Sequence, residues 1–286
     1  MSLSLTERLI FVARQVGSEG RKLFEERFSQ AIFKEWNAVS PDTDSDVIKE
    51  DDDPRTVQTA IDRMCRDRFH TALQEFGGVN VVTEEGGKYS VPGTGCEHCT
   101  VVIDDWDGST NGNKGLNLSA VSVAIDFGGR SFMGCWYDPY RDYMLFTPFT
   151  HECEEYPFCT LSIPRRAMPF SGPPKTAYTL SESRLVIHRG TKLHPVSDLH
   201  EHPLSTLGAR ALAVMNYEAS VIPLMHVAMG MVDGFVVAGN RPWDLWGARA
   251  IFTALRIPFA FMEPFTYRVL EEAEIVPDPE KEYAFA

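Results

Sequence analysis

Apolar side chains recur at helical spacing from the start of the chain: Leu5, Leu9, Val12, Ala13, Val16, Leu23, Phe24, Phe28, Ile32 and Phe33. This period predicts one long amphipathic helix over residues 5–37, or a broken pair interrupted near Gly17 to Gly20, since glycine weakens a helix interior. Residues 38–55 are polar and acidic, including Asp51-Asp52-Asp53-Pro54, and read as a solvated loop. A second helix is expected over 56–75, with Val57, Ala60, Ile61, Met64, Phe69 and Leu73 on its buried side and Pro54 and Arg55 at its start. From 79 to 149 the pattern changes to strands. Ala120 to Ile125 alternates small and apolar residues, and Phe132–Asp138 with Tyr143–Thr147 predicts a hairpin turning between Asp138 and Asp142.

Residues 150–183 carry many Pro and Ser and little periodicity, as expected of short strands at a transition between halves. The second half alternates. Leu185–His188 reads as a strand, 192–206 as loop or short helix, Arg210–Val214 as a strand, and 217–230 as a helix. A strand is expected through Val232 to Val237, a helix opening at Asp244, and a late strand over Pro258–Met262, before an acidic, polar tail. Helices first, then strands, then alternation fit an α/β (α+β) chain. The two halves divide at 1–150 and 151–286.

The densest chemistry follows the apolar run Cys99–Ile103, which reads as a buried strand: Asp104-Asp105-Trp106-Asp107-Gly108-Ser109-Thr110-Asn111. Asp104 and Asp107 converge on one cation if the chain turns sharply between them, and hard divalent ions such as Mg²⁺ take oxygen ligands. Gly108 allows close backbone approach, and free N–H groups at a helix start face an anion. Carboxylates beside an anion cradle point to metal-assisted phosphoryl chemistry. Two further segments accompany this one: Val81-Val82-Thr83-Glu84-Glu85-Gly86-Gly87 upstream, and Pro242-Trp243-Asp244-Leu245-Trp246-Gly247-Ala248 downstream.

Together the three segments resemble the inositol monophosphatase family of Mg²⁺-dependent, lithium-sensitive phosphatases. That family reads Gly-Glu-Glu, then Asp-Pro-Ile/Leu-Asp-Gly-Thr/Ser-Thr, then Trp-Asp-x-Ala-Ala-Gly, and the likeness runs from about residue 55 to about residue 260. The resemblance implies a layered sandwich of the sugar-phosphatase type, five layers deep, with an antiparallel sheet in the N-terminal half and a mixed sheet in the C-terminal half. It implies two to three Mg²⁺ ions per site. Asp104 would bridge two of them, with Glu84 and the main-chain carbonyl of Trp106 on the first and Asp107 and Asp244 on the second. Glu85 would point elsewhere, because adjacent strand residues face opposite sides. Gly108, Ser109 and Thr110 would hold phosphate, and Ser220 would line the substrate pocket. Ser109 would orient the attacking water, with Asp62 of Thr59-Ala60-Ile61-Asp62 as its partner.

The activity implied is hydrolysis of a small phosphate monoester of inositol, a sugar or a related polyol by a metal-activated water. Enzymes acting on 3′-nucleotides, histidinol phosphate or fructose 1,6-bisphosphate belong to the same superfamily, and a non-catalytic metal- or phosphate-binding homologue is the remaining alternative. Three departures bear on specificity. Asp105 stands where the family has proline, Leu245-Trp246-Gly247 replaces small residues, and Tyr217-Glu218-Ala219-Ser220 replaces a Gly-Ser/Thr-Ala segment. Val237, seven residues before Asp244, stands where the family has an inositol-contacting acid. Myo-inositol 1-phosphate is therefore not expected to be the best substrate.

Composition adds limits. The 286 residues carry a net charge of −13, which argues against a nucleic-acid polymer as partner. No apolar run of about 18 residues exists, so no membrane partner is expected. Residues 1–8 lack the basic and apolar regions of a secretory signal, and a cytoplasmic location is expected. Homodimers are common among the family, and the resemblance extends to that. Six scattered cysteines read as reduced thiols, including the Cys96-Glu97-His98-Cys99 pair, which lacks a second pair at zinc-site spacing. His194, His200 and His202 read as solvated loop histidines.

Overall fold

The computed structural model describes residues 4–38, 54–84, 86–93, 98–128, 130–147, 159–163, 166–172, 179–188, 206–264 and 266–286. Two helices open the chain, α1 (Leu5–Ala38) and α2 (Pro54–Gln74). Then come β1 (Val79–Thr83), β2 (Gly87–Val91), β3 (Cys99–Asp107) and the short α3 (Ser109–Asn113). Strands β4 (Ala120–Phe127), β5 (Arg130–Asp138), β6 (Tyr143–Phe146), β7 (Cys159–Ile163) and β8 (Arg166–Phe170) follow. These eight strands form one sheet ordered β2-β1-β3-β4-β5-β6-β7-β8, antiparallel except for the parallel pair β1 and β3. The sheet runs to Phe170, past the expected division at 150/151.

The second sheet is ordered β10-β9-β11-β13-β12 and is mixed. It contains β9 (Arg184–His188), β10 (Ala213–Met215), β11 (Gly234–Asn240), β12 (Phe261–Met262) and β13 (Tyr283–Phe285). Helices α5 (Val221–Ala228) and α6 (Pro242–Leu255) lie between the sheets, sharing one apolar cluster with both. Helices α1 and α2 cover the outer face of the first sheet. A short helix, α4 (206–210), puts Leu207 on the outer face of the second, against Leu185, Ile187 and Ala238. The layers run helix, sheet, helix, sheet, helix, as the resemblance implied.

Strand alternation builds this stack. On β4, Val121, Val123 and Ile125 face α1 and α2, while Ala120 and Ala124 face the central helices. The small face lets α6 come close. A Cβ added to Gly134 of β5 would lie 2.5 Å from the Gly247 carbonyl of α6. Helix α1 is unbroken through Gly17 and Gly20. Both glycines serve close packing instead: a Cβ at Gly17 would meet the Tyr137 ring at 2.5 Å, and one at Gly20 the Trp106 ring at 2.4 Å.

Several local expectations shift. The expected strand 210–214 is β10 at Ala213–Met215, preceded by helix at 206–210. The helix expected from 217 starts at Val221, because 216–220 are held by contacts described below. The polar tail ends in β13, which inserts between β11 and β12 with Tyr283 and Phe285 fully buried.

Candidate functional site

β3 carries the central residues, and its geometry explains how they meet. Residues three apart on a regular strand face opposite sides. Here Asp104 pairs with Ser122 and Asp107 with Ala120, so one extra residue bulges out between them. The bulge restores Asp107 to the face of Asp104. Trp106 turns to the other face, into the cluster under α1, beside Phe24. Asp105 is also buried, and its charge reaches Tyr89 of β2. It is therefore not a solvated loop acid.

Asp244 arrives from the opposite half. Helix α6 opens at Pro242, not at Asp244, so Asp244 sits in the first turn and accepts a hydrogen bond from the Arg241 N–H at 3.2 Å. Its carboxylate joins those of Asp104 and Asp107, with one oxygen of each lying within 4.8 Å of the others. All three are buried. Burial first, then the charges of Asp107, Asp244 and Glu84, push Asp104 well above the usual carboxylate range. Burial, then Asp107 and Glu84, do the same to Asp244. Burial raises Asp107 to about 6, against backbone N–H donors that lower it.

Those donors are specific. The Ser220 N–H lies 2.9 Å from one Asp107 oxygen and 3.1 Å from the other, and the Val221 N–H donates at 2.7 Å. Asp107 thus anchors the start of α5, an acid at the positive end of a helix. Asp104 differs. Both its oxygens are buried with no donor among the described residues. A carboxylate so placed needs a cation or a proton. Three converging carboxylates, one of them without a donor, fit a hard divalent ion such as Mg²⁺.

Glu84 follows the last residue of β1, where Thr83 pairs with Ile103. Parallel register therefore brings Glu84 level with Asp104. It is exposed, yet its charge reaches both Asp104 and Asp244. It stands beside the triad of carboxylates, not within it. Gly108 adopts φ +82°, and a Cβ there would lie 2.5 Å from the Leu118 carbonyl. Ser109 is half-buried and Thr110 exposed at the start of α3. Ser220 is buried, its N–H on Asp107 and its hydroxyl accepting from the Asn240 side chain. The side chain of Asp62 lies outside the described residues, as do Glu85, Cys96, Cys153, His194, His200 and His202.

One contributor escaped sequence reasoning. Asn111 is buried and donates to the Leu118 carbonyl at 2.9 Å and the Tyr217 carbonyl at 2.6 Å, clamping the two halves together beside Gly108. The signal was its place directly after the Gly-Ser-Thr turn. Asn240, the last residue of β11, holds Ser220. Val237, by contrast, is fully buried in the core opposite Phe285 and lines no site. The indole of Trp246 does not crowd α6 against the sheet. It points to Phe261 and Tyr283 and donates to Asp126 at 3.1 Å, while Gly247 makes the close approach. Cys65, Cys99, Cys135 and Cys159 are buried, and burial raises the last two thiols.

Comparison with known proteins agrees with this fold. The family model described as "Inositol monophosphatase family" matches residues 8–255. The Nus factor SuhB of Pasteurella multocida is 28% identical over 189 residues, 65% of this chain and 65% of its own. The chain thus spans just under two thirds of that relative's length. Among solved structures, Mycobacterium tuberculosis SuhB superposes with a TM-score of 0.64 at 18% identity, covering 98% of this chain and 90% of that one. An inositol monophosphate-bound SaIMPase-II gives 0.63 at 14%, covering 99% and 88%. At these identities the structural likenesses establish the fold.

Proposed function

The chain belongs to the inositol monophosphatase family, and from that premise we propose that it hydrolyses a small phosphate monoester, of a sugar, inositol or related polyol, with Mg²⁺. The observation that carries this reading is the buried Asp104, Asp107 and Asp244 triad, with Asp104 lacking any donor among the described residues. Asp104, Asp107 and Asp244 would hold the ions, Glu84 and the Trp106 carbonyl completing the set. Bound there, the ions neutralise phosphate oxygens and make a water acidic enough to serve as nucleophile near neutral pH.

The chain's own groups then divide the remaining work. Gly108, fixed by its left-handed backbone and by the Ser119 hydroxyl donating to its carbonyl at 2.9 Å, sets the turn into α3. The Ser109 and Thr110 hydroxyls and the N–H groups of that turn would bind phosphate oxygens, orienting the ester for in-line attack. Ser109 would accept the water's hydrogen bond, with Asp62 behind it. Ser220 would shape the pocket through its backbone, since its hydroxyl is engaged by Asn240. An inositol monophosphate-bound relative supports a polyol ester as substrate.

A phosphate-release assay on a panel of monoesters, with Mg²⁺ and with chelator, tests the reading. Turnover that needs Mg²⁺ and disappears in Asp104→Asn supports it. No turnover on any monoester favours the non-catalytic alternative.

A further inference from the structure

The segment 216–220 roofs the Gly108 turn. The Ala219 side chain would lie 3.3 Å from a Cβ on Gly108. Asn111 holds the Tyr217 carbonyl, and Asp107 holds the Ser220 N–H. Between these fixed points sits Glu218, at φ +49°. Left-handed backbone suits glycine or asparagine, and a glutamate there is strained. The Asn216 side chain accepts the Glu218 N–H at 3.0 Å and helps hold the strained conformation. A strained residue beside a cradle is a reason to ask what its side chain does.

Its surroundings answer. The parallel strands β9, β10 and β11 end here, at His188, Met215 and Asn240. Ligands of open α/β sheets bind outside such carboxyl ends. The Glu218 carboxylate is half exposed and meets the Lys114 ammonium at 3.1 Å. Lys114 follows α3 directly. An exposed ion pair of this kind is weak and exchanges readily for other partners. The charge of Glu218 also reaches His188, whose Nδ1 is buried without a partner among the described residues. Glu218 lies two residues from Ser220, about 7 Å of chain from the Asp107 anchor.

We infer that Glu218 is a specificity-determining residue that reads the leaving group, accepting hydrogen bonds from vicinal hydroxyls of a neutral polyol while Lys114 donates beside it. The inference rests on the phosphatase reading above. An acceptor and a donor side by side match hydroxyls, which do both. With Lys114 beside it the pair carries no net charge, which suits a neutral leaving group. The polyol-recognising acid is thus supplied from the segment before α5, not from β11, where Val237 is sealed in the core.

The test compares glucitol 6-phosphate, phenyl phosphate and histidinol phosphate on wild type, Glu218→Gly and Glu218→Gln, with Mg²⁺. Glycine suits the left-handed backbone, so Glu218→Gly melts no lower than wild type. Its kcat/KM ratio for the glucitol ester over the phenyl ester falls roughly ten- to hundredfold, mainly through KM. Glu218→Gln falls less, since its amide still accepts. An unchanged ratio in Glu218→Gly overturns the inference and leaves the phosphatase reading standing. Preference of the wild type for histidinol phosphate overturns the neutral class. Absence of Mg²⁺-dependent hydrolysis of all three esters overturns the phosphatase reading, and this inference with it.

Discussion

Replacing Asp104 with asparagine should stabilise the metal-free protein while removing its response to Mg²⁺. Asp104 has Asp107 and Asp244 as neighbours, with oxygens within 4.8 Å, and no donor among the described residues to offset them. At an effective dielectric near 20, each fully charged pair costs about 3.5 kcal/mol. Protonation of the cluster relieves part of this, so we expect a gain of about 3 kcal/mol, or about 5 °C in melting temperature for a chain this long. Asp107→Asn provides the contrast. Its rise from 3.8 to about 6 corresponds to about 3 kcal/mol of native-state penalty. Yet its oxygens take the Ser220 and Val221 N–H groups, and charge-assisted bonds contribute about 1.5–3 kcal/mol each. The rise is already net of these bonds, so Asp107→Asn should stabilise less than Asp104→Asn, whose carboxylate has no such donors to lose among the described residues. The sign with pH follows. A raised acid holds its proton longer in the folded state, so its contribution makes metal-free stability fall as pH rises from about 4 to about 6. Thermal melts in chelator and in Mg²⁺, across that range, measure all of this. Asp104→Asn melting below wild type in chelator at neutral pH, or keeping a wild-type Mg²⁺ shift, would refute the reasoning.

Gly108→Ala should lower stability by about 1–3 kcal/mol and abolish turnover, since φ +82° and the Leu118 carbonyl leave no room for a Cβ; denaturant melts and phosphate release check it. Trp246→Phe removes the donor to buried Asp126 and should cost about 1–3 kcal/mol in urea titration, with Mg²⁺-dependent turnover retained. Lithium should inhibit turnover at roughly tens of millimolar, because a small hard cation of lower charge fits an oxygen-lined Mg²⁺ position; insensitivity across that range counts against a second ion on Asp104, Asp107 and Asp244.

The carboxylate triad was legible in the sequence through one local motif and the family resemblance. Asp104 and Asp107 lie in one motif, and Asp244 follows a tryptophan at a helix start. What the sequence could not display was the device that makes them converge, a β-bulge set by register against β4. The same limit hid β13. Its residues Tyr283 to Phe285 form a run too short for a period, and only pairing with β11 and β12 makes it a strand. Gly17 and Gly20 decide between the two readings left open, one long helix or a broken pair. Glycine propensity alone predicts a break, but ring contacts with Tyr137 and Trp106 outweigh about 1 kcal/mol of propensity per residue. Val237 shows how spacing to a motif misleads. Seven residues before Asp244 is a count along the chain, and whether that position faces a pocket depends on the strand's two faces. Here β11 turns it inward against Phe285.

The site also explains how two halves with separate sheets act as one. Three independent ties cross beside Gly108: Asp107 to the start of α5, Asn111 to the Tyr217 carbonyl, and the joint burial of Asp104 with Asp244. The first two are ordinary hydrogen bonds and favour docking of the halves. The third opposes it until its charge is compensated. The carboxylates are therefore held together by contacts that involve no ion, and an ion bound among them would release the repulsion so stored. Such preorganisation strengthens cation affinity, because the cost of gathering the acids has already been met during folding. It also locates the sensitive residues. Asn111→Ala touches no carboxylate, yet it frees both the Leu118 and Tyr217 carbonyls and loosens the docking that gathers the acids. Its Mg²⁺ affinity, read by titration of the melting temperature, should weaken while the three aspartates remain intact. An Asn111→Ala protein with wild-type Mg²⁺ affinity would show instead that the acids gather without help from this clamp.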